Sequence, residues 1–582
     1  MRMRKIGLIL VLLLASLNAP AQTDDSAAKE KPAREQKLLE QILTDAKSLR
    51  LPENRAMVFA RAGNWYWQAD EKKARKLFQD AVGDLIAAQS EVQNDKNRQY
   101  FQGLLYGQSP RLDIINTISS RDAELALEYL AKSRPASIAE IIQNPNADQN
   151  STVWQYARNE IAVEQRLLGL AAEQNPQTAI KRVRESLKKG VSYETIALLK
   201  KIYTKDAPAA DDLARELAEN FLQTDFSKNY QTSETVGQFI NEMGRERTKD
   251  EKALQIPEDL LRRLVAKILD GWLDTKTVQP YGYWNCLAIV EKLFPERAAR
   301  LKKKVEALNN SSQTEESVEY SKLVSGDTPP EEMMVRVEKL QTSSYRNEVY
   351  RAAAQKLAQN GSIAQAERIM QTNVSGEQAE YYLSTFYVNL SYQFANQGKF
   401  DEANNYVNQI PDENQRLSAL INLANIVNQK NPKENAKAAE NILNQARALI
   451  PDMPETVNEF NAALSLATAY APFDAAQSFQ LVESLLPSMN EIIQANFVVM
   501  KFRSYGGTRR NEMQIPISNN IGTYNLEGVL RVLKDKDFDR TLQIAGSFNR
   551  PEARVWLEMQ LIDDNPAIIA NLPINSRQMI ID

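Results

Sequence analysis

Along most of the chain apolar residues recur at intervals of three and four, the period that puts them on one face of a helix. Leu417, Leu420, Ile421, Ala424, Ile426 and Val427 show it in one stretch. Alternating runs of Val, Ile and Thr, which would announce strands, are nearly absent. The stretch Ile515 to Asn525 is the main candidate, and its Ser, Asn and Gly content suits a loop better. Pro411, Pro432, Pro451, Pro472 and Pro487 stand 21, 19, 21 and 15 residues apart. Proline lacks the amide donor and clashes with the preceding turn, so this spacing predicts helix ends joined by short loops. The pattern predicts an all-α chain of helical hairpins, with 35–308 as an N-terminal helical-repeat segment and 331–504 as a second set of repeats.

The clearest repetition lies within that second set. YRAAAQKLAQNGSIAQAERI begins at Tyr350 and YVNLSYQFANQGKFDEANNY at Tyr387, 37 positions on. In that register Leu357 matches Phe394, Ala358 matches Ala395, Gly361 matches Gly398, Ile363 matches Phe400 and Ala366 matches Ala403. FDAA returns at Phe473, close to two such periods after Phe400. Alanines allow close helix crossings, and a glycine between helices permits the positive φ of a helix C-cap. These residues resemble the tetratricopeptide repeat, a helix-turn-helix unit of about 34 residues. The likeness departs at Ser391, where that repeat usually has glycine, and at the insertion near Asn431-Pro432. It implies an α-solenoid of antiparallel helix hairpins, in one segment or two. The whole chain also resembles secreted bacterial helical-repeat proteins of no established activity.

The remaining segments read differently. Arg2, Arg4 and Lys5, the apolar run from Ile6 to Leu17 and the small residues Ala19-Pro20-Ala21 form a bacterial Sec-type signal peptide over 1–21, cleaved after Ala21. The run is too short to span a bilayer and no cysteine follows it, so the expected product is a periplasmic or secreted chain with no transmembrane segment or lipid anchor. Residues 22–34 are polar without apolar periodicity and predict a mobile tail. Residues 309–330, rich in Ser, Asn, Thr and acidic groups, predict a linker or long surface loop. An irregular loop is expected over 505–525, and capping helices over 526–582, because terminal repeats must meet water.

Composition narrows the chemistry. The chain has no histidine and one cysteine, Cys286. Ser-His-Asp triads, Cys-His pairs and histidine-based metal sites are therefore excluded. Cys286 sits on an apolar stripe and is expected in the core, and no internal disulfide can form. Formal charge is −4, and loss of Arg2, Arg4 and Lys5 with the leader takes it to −7. Mild acidity argues against a nucleic-acid partner. The basic runs Lys181–Lys189 and Arg297–Lys304 are expected to be solvated helix faces. Ser186 precedes Lys189 at the spacing of penicillin-binding serine enzymes, but the companion motifs are missing. The sequons at Asn150, Asn309, Asn310, Asn373 and Asn389 are taken as incidental.

No catalytic, cofactor-binding or metal-binding residue is assigned. Candidate partner-binding residues are Trp67, expected outside its hairpin while Trp65 faces the core, and Arg509 and Arg510 of the YGGTRR turn, whose guanidinium groups suit a carboxylate or phosphate. The sequence thus points to an exported, non-catalytic scaffold that binds proteins or peptides in the cell envelope. The alternatives are a helical toroid hydrolysing polysaccharide through carboxylates or Tyr, and a structural spacer.

Overall fold

The computed structural model describes residues 25–94, 110–144, 152–224, 226, 230–245, 253–274, 282–310, 315–502, 508–509, 512–513, 515 and 524–562. The first part contains α1 (Asp25–Ala46), α2 (Pro52–Tyr66), α3 (Glu71–Asn94), α4 (Pro110–Ser119), α5 (Ala123–Lys132), α6 (Ala136–Gln143), α7 (Thr152–Gln174) and α8 (Pro176–Lys189). It continues with α9 (Thr195–Tyr203), α10 (Ala207–Leu222), α11 (Tyr230–Gly244), α12 (Glu258–Asp274), α13 (Tyr283–Leu293) and α14 (Pro295–Asn310). Then come α15 (Glu315–Ser325), α16 (Pro330–Arg336), α17 (Ser343–Gln359), α18 (Ile363–Asn373), α19 (Ala379–Asn396), α20 (Phe400–Val407), α21 (Glu413–Lys430) and α22 (Pro432–Ala448). The last described elements are α23 (Val457–Tyr470), α24 (Ala475–Phe502), strands β1 (Thr508–Arg509) and β2 (Glu512–Met513), α25 (Tyr524–Leu533), α26 (Phe538–Gly546) and α27 (Pro551–Ile562). The fold is an all-α solenoid of helical hairpins.

Two kinds of helix alternate. In α21, Leu417, Ala419, Leu420, Ile421, Leu423, Ala424 and Val427 are buried, so most of its circumference is covered. Its hairpin partner α22 buries Ala439, Ile442, Leu443 and Ala446, a single stripe. Helices of the first kind pack on one another in a row, α17 on α19, α19 on α21, α21 on α23, α23 on α25 and α25 on α27. Each also packs on its partner in the second layer.

The two matched hairpins close identically. Gly361 (φ 86°) and Gly398 (φ 79°) occupy the left-handed region. Ser362 N–H donates to Leu357 O and Gly361 N–H to Ala358 O, while Lys399 N–H donates to Phe394 O and Gly398 N–H to Ala395 O. Both are Schellman closures, which satisfy carbonyls that the helix end would strand. Ala366 and Ala403 are fully buried at the crossings.

The row does not end where the described chain ends. Helix α27 packs on α1 and on α2, so the first described helix joins the last. Asn54 of α2 donates to Glu512 Oε1 (2.9 Å) and Met513 O (2.7 Å), and its Oδ1 accepts from the Ile515 amide (2.9 Å). The Met513 amide donates to Glu552 of α27 (3.1 Å), and the Arg61 guanidinium lies 4.0 Å above the Trp556 ring. The β1–β2 ladder, pairing Thr508 with Met513 and Arg509 with Glu512, is the piece that fills the joint.

Several expectations change. Residues 309–330 are not a linker: α15 occupies 315–325, with Leu323 fully buried and Glu316 accepting from the Gln341 and Thr342 amides at 2.6 Å. Its polar composition hid the short apolar spacing of Val318, Leu323 and Val324. The stretch expected as a tail is helical from Asp25, since good helix formers such as Ala27, Ala28 and Glu30 let a packed helix propagate outward. Pro487 lies inside α24, where Phe479, Val482, Leu485, Met489, Ile493 and Phe497 stay buried on both sides of it. That packing outweighs the roughly 3 kcal/mol an interior proline costs. Of the stretch expected as capping helices, 526–562 is described and α1 packs on α27 there, while 563–582 lie outside the described residues.

Further on, α11 and α13 approach so closely that a Cβ placed on Gly237 would lie 2.4 Å from the Gly282 carbonyl oxygen. Backbone cannot yield as a side-chain tip can. Gly237→Ala is therefore expected to cost about 1–3 kcal/mol, the range of overpacked cores, seen as a lower melting temperature in calorimetry.

Candidate functional site

The first-kind helices have little surface left, and what remains follows a fixed spacing. On α19 one face carries Tyr381, Thr385, Asn389, Tyr392 and Asn396, at steps of 4, 4, 3 and 4. The same steps on α21 give Asn414, Ser418, Asn422, Asn425 and Gln429, each 33 positions later and each exposed. On α17 they give Ser344, Glu348, Ala352, Gln355 and Gln359, and on α23 Val457, Asn461, Ser465 and Thr468. A quarter of the chain is charged, yet of these positions only Glu348 is. The row thus presents a face mostly of amides and hydroxyls, with Glu348 the one charge among these positions.

A depression of about 510 Å³ lies on this face, lined by Gln355 and Gln359 of α17 and by Asn389, Tyr392, Gln393 and Asn396 of α19. Gln393 Nε2 donates to Ala358 O (3.1 Å), which fixes that amide with its oxygen free to accept. Asn422 Nδ2 of α21 donates to the Tyr392 hydroxyl (3.0 Å) and orients it. Among the described residues, Gln355 Oε1 and Gln393 Oε1 are buried acceptors without a donor. A buried acceptor left unmet costs about 1–3 kcal/mol. At one end of the face Tyr320 and Tyr345 stack at 4.3 Å, beside the Glu348–Arg351 pair.

The predicted candidates fall elsewhere. Trp67 is half-buried at the end of α2, tilted against Phe78 at 5.8 Å and covered by the Arg75 guanidinium at 4.8 Å. Trp65 is equally half-buried. Arg509 lies in β1, close in the fold to the joint rather than to the polar face; Arg510 lies outside the described residues, as does the leader at 1–21. Trp272 and Trp556 are core residues, and the most exposed of the described tryptophans is Trp284, at 65%. The polar face was missed because amides in step with a helix carry no apolar signal. Its repetition at 33 positions was nonetheless present in the sequence.

The basic runs are engaged across hairpins: Arg182 with Glu124, Arg184 with Glu216 (3.0 Å), Lys189 with Glu164 (2.6 Å) and Arg297 with Asp270. Ser186 is fully buried, so the Ser-Lys spacing belongs to packing. A denser network ties α4 to α7, with Arg111 fork-to-fork on Glu160 (2.7 and 2.9 Å) and Arg134 bridging Glu160 and Glu164. Burial pushes Glu164 up, but Lys189 and Arg134 outweigh it and hold the carboxyl below its usual range. Among the described residues no cluster of three or more acidic or cysteine side chains is placed to hold a metal ion, and no helix is long and apolar enough to cross a membrane.

No family model matches the chain, and no curated protein matches it in sequence. A solved structure described as a circular tandem repeat protein with novel repeat topology and enhanced subunit contact surfaces aligns over 92% of this chain and 100% of its own, at 15% identity and a TM-score of 0.20.

Cys286 is 1% exposed on α13, and burial pushes its thiol up to about 12. Thiolate is the reactive form. A disulfide reagent at mildly alkaline pH is accordingly expected to leave the folded chain unlabelled and to titrate one thiol once denaturant is added.

Proposed function

We propose that the protein is a non-catalytic scaffold that binds extended polypeptide segments along the mostly uncharged face of α17, α19, α21 and α23. The observation that carries this is the depression lined by the amides of Gln355, Gln359, Asn389, Gln393 and Asn396. A primary amide offers the same donor and acceptor as a peptide group, so a row of them matches a chain whose backbone is not paired in a helix or sheet. Tyr392 adds a flat apolar surface at little entropic cost.

The hairpins are read as tetratricopeptide-like, on the strength of the shared glycine closures and buried alanines. Export through the leader at 1–21 places the scaffold in the periplasm or outside the cell. Polysaccharide hydrolysis would need two carboxylates at a cavity. The depression is lined by amides and a tyrosine, and buried carboxylates that lie near one another, such as Glu512 with Glu552 and Glu160 with Glu164, are held by hydrogen bonds or arginines, which favours the binding reading.

The test is an array of extended neutral peptides probed with the mature chain and with Gln393→Ala and Asn389→Ala variants. Binding is expected for a subset of peptides, little changed by salt because the face is mostly neutral, and weakened about tenfold or more by each variant, as for a lost buried hydrogen bond. Equal binding by wild type and both variants, or binding that salt abolishes, would overturn the proposal.

A further inference from the structure

The joint between the first and last described helices gathers carboxylates from both. Glu558 of α27 is 6% exposed, and α1, which packs on α27, carries Asp45, whose like charge acts on it. Arg554, one turn earlier on α27, is the opposing cation, but its guanidinium is held by the Phe548 and Asn549 carbonyls at 2.9 and 3.3 Å. Among the described residues Glu558 Oε2 accepts no hydrogen bond. A second pair sits beside it. Glu552 is fully buried and gives Oε1 to Arg550 and to the Met513 amide, while Glu512, 4% exposed, accepts from the Arg50 amide and Asn54.

The other elements packed on α27 spend their charges elsewhere. From α25, Lys534 donates to the Leu561 carbonyl, Arg531 to Gln560, and Glu527 accepts from the Trp556 indole. From α2, Arg61 covers the Trp556 ring and Glu53 is buried nearby at 2% exposure. From α26, a Cβ placed on Gly546 would come within van der Waals reach of Glu558, and Arg540 is turned away to Glu483 at 2.7 and 2.9 Å.

We propose that the α1–α27 joint is a proton-operated latch, closed while Glu558 carries its proton and loosened when Glu558 ionises against Asp45. A protonated carboxyl is tolerated in such a site, whereas a carboxylate there has lost its water and faces a like charge. Burial first, and the Asp45 charge second, push the Glu558 carboxyl from 4.5 up to about 7. Burial raises Glu512 as well, with Glu552 adding to it against the hydrogen bonds of Asn54 and Arg50. In the opened joint Glu558 meets water and returns toward its ordinary value. The closed form therefore binds more protons between the two values, so its advantage is full in acid, falls as pH rises from about 4.5 to about 7, and is level above that. The ratio of closed to open falls by up to about two orders of magnitude across this window.

Hydrogen exchange of the full chain, followed by mass spectrometry and corrected for intrinsic rates, reads the latch directly. Between about pH 5 and about pH 8, exchange in α1 and α27 is expected to rise by roughly ten- to a hundredfold while that in α19 and α21 stays constant. Glu558→Gln should abolish most of the rise. Asp45→Asn, an exposed substitution, should shrink it and move it to lower pH, because Glu558 then ionises more easily. Flat exchange in wild-type α1 and α27, or a Glu558→Gln curve that follows the wild type, would overturn the proposal. Should Glu558→Gln fail to fold, an Asp45→Asn curve identical to wild type overturns it. The latch does not depend on peptide binding, and peptide-array results leave it untouched.

Discussion

Everything in this molecule follows from helices that are covered on two sides. A helix such as α21 touches its predecessor, its successor and its hairpin partner, so it must be apolar around most of its circumference. Its partner needs only one stripe. Alternation of these two patterns is what makes the chain stack rather than collapse, because a helix of the first kind cannot hide its apolar surface within a single hairpin. Small residues set the spacing: Ala366, Ala403, Ala424 and Ala467 are fully buried where backbones approach.

The same requirement explains the joint. Ten of the twelve residues of α27 are buried, including Glu552, Val555, Trp556 and Leu561. Helix α1 packs on them, standing to α27 as a second-layer partner. This hairpin is assembled from segments some 500 positions apart, with Asn54 and Glu512 themselves separated by 458. Closing so long a loop carries an entropic cost that grows only logarithmically, by about 0.6 kcal/mol per doubling, so a modest apolar interface offsets it. A solenoid whose ends meet also has fewer exposed terminal faces to manage.

Periodicity made the hairpins legible, down to the glycine closures at Gly361 and Gly398, because local spacing and cap chemistry are written in adjacent residues. The joint was not legible, since nothing near Asn54 names Glu512 as its partner. Composition misled at 309–330, where Ser, Asn and Glu dominate and yet Leu323 anchors a helix in the core. Proline misled at Pro487, where tertiary packing overrode a local stop signal. Trp67 drew attention as a large aromatic, and it stands half-buried against Phe78 and Arg75. The polar face escaped a search tuned to apolar repeats, although Asn389, Tyr392 and Asn396 recur as Asn422, Asn425 and Gln429.

That face is where the packing constraint turns into chemistry. Covering a helix on two sides leaves one exposed line, advancing by 4, 4, 3 and 4 residues, and whatever occupies it is held in register by the buried positions between. Long charged side chains would serve solubility there equally well, and they crowd the second layer, as in Lys181–Lys189. On the exposed line of the first layer they give way to Asn and Gln amides, flanked by buried residues that fix their backbones. Amides ordered in this way cannot attract a ligand from a distance, because they carry no net charge. On the proposed reading they would discriminate on contact, by the donors and acceptors an incoming group matches. A partner that arrives with its own backbone groups already paired, as a folded helix or sheet does, offers little to such a surface, whereas an extended segment offers a donor at every second residue on one side.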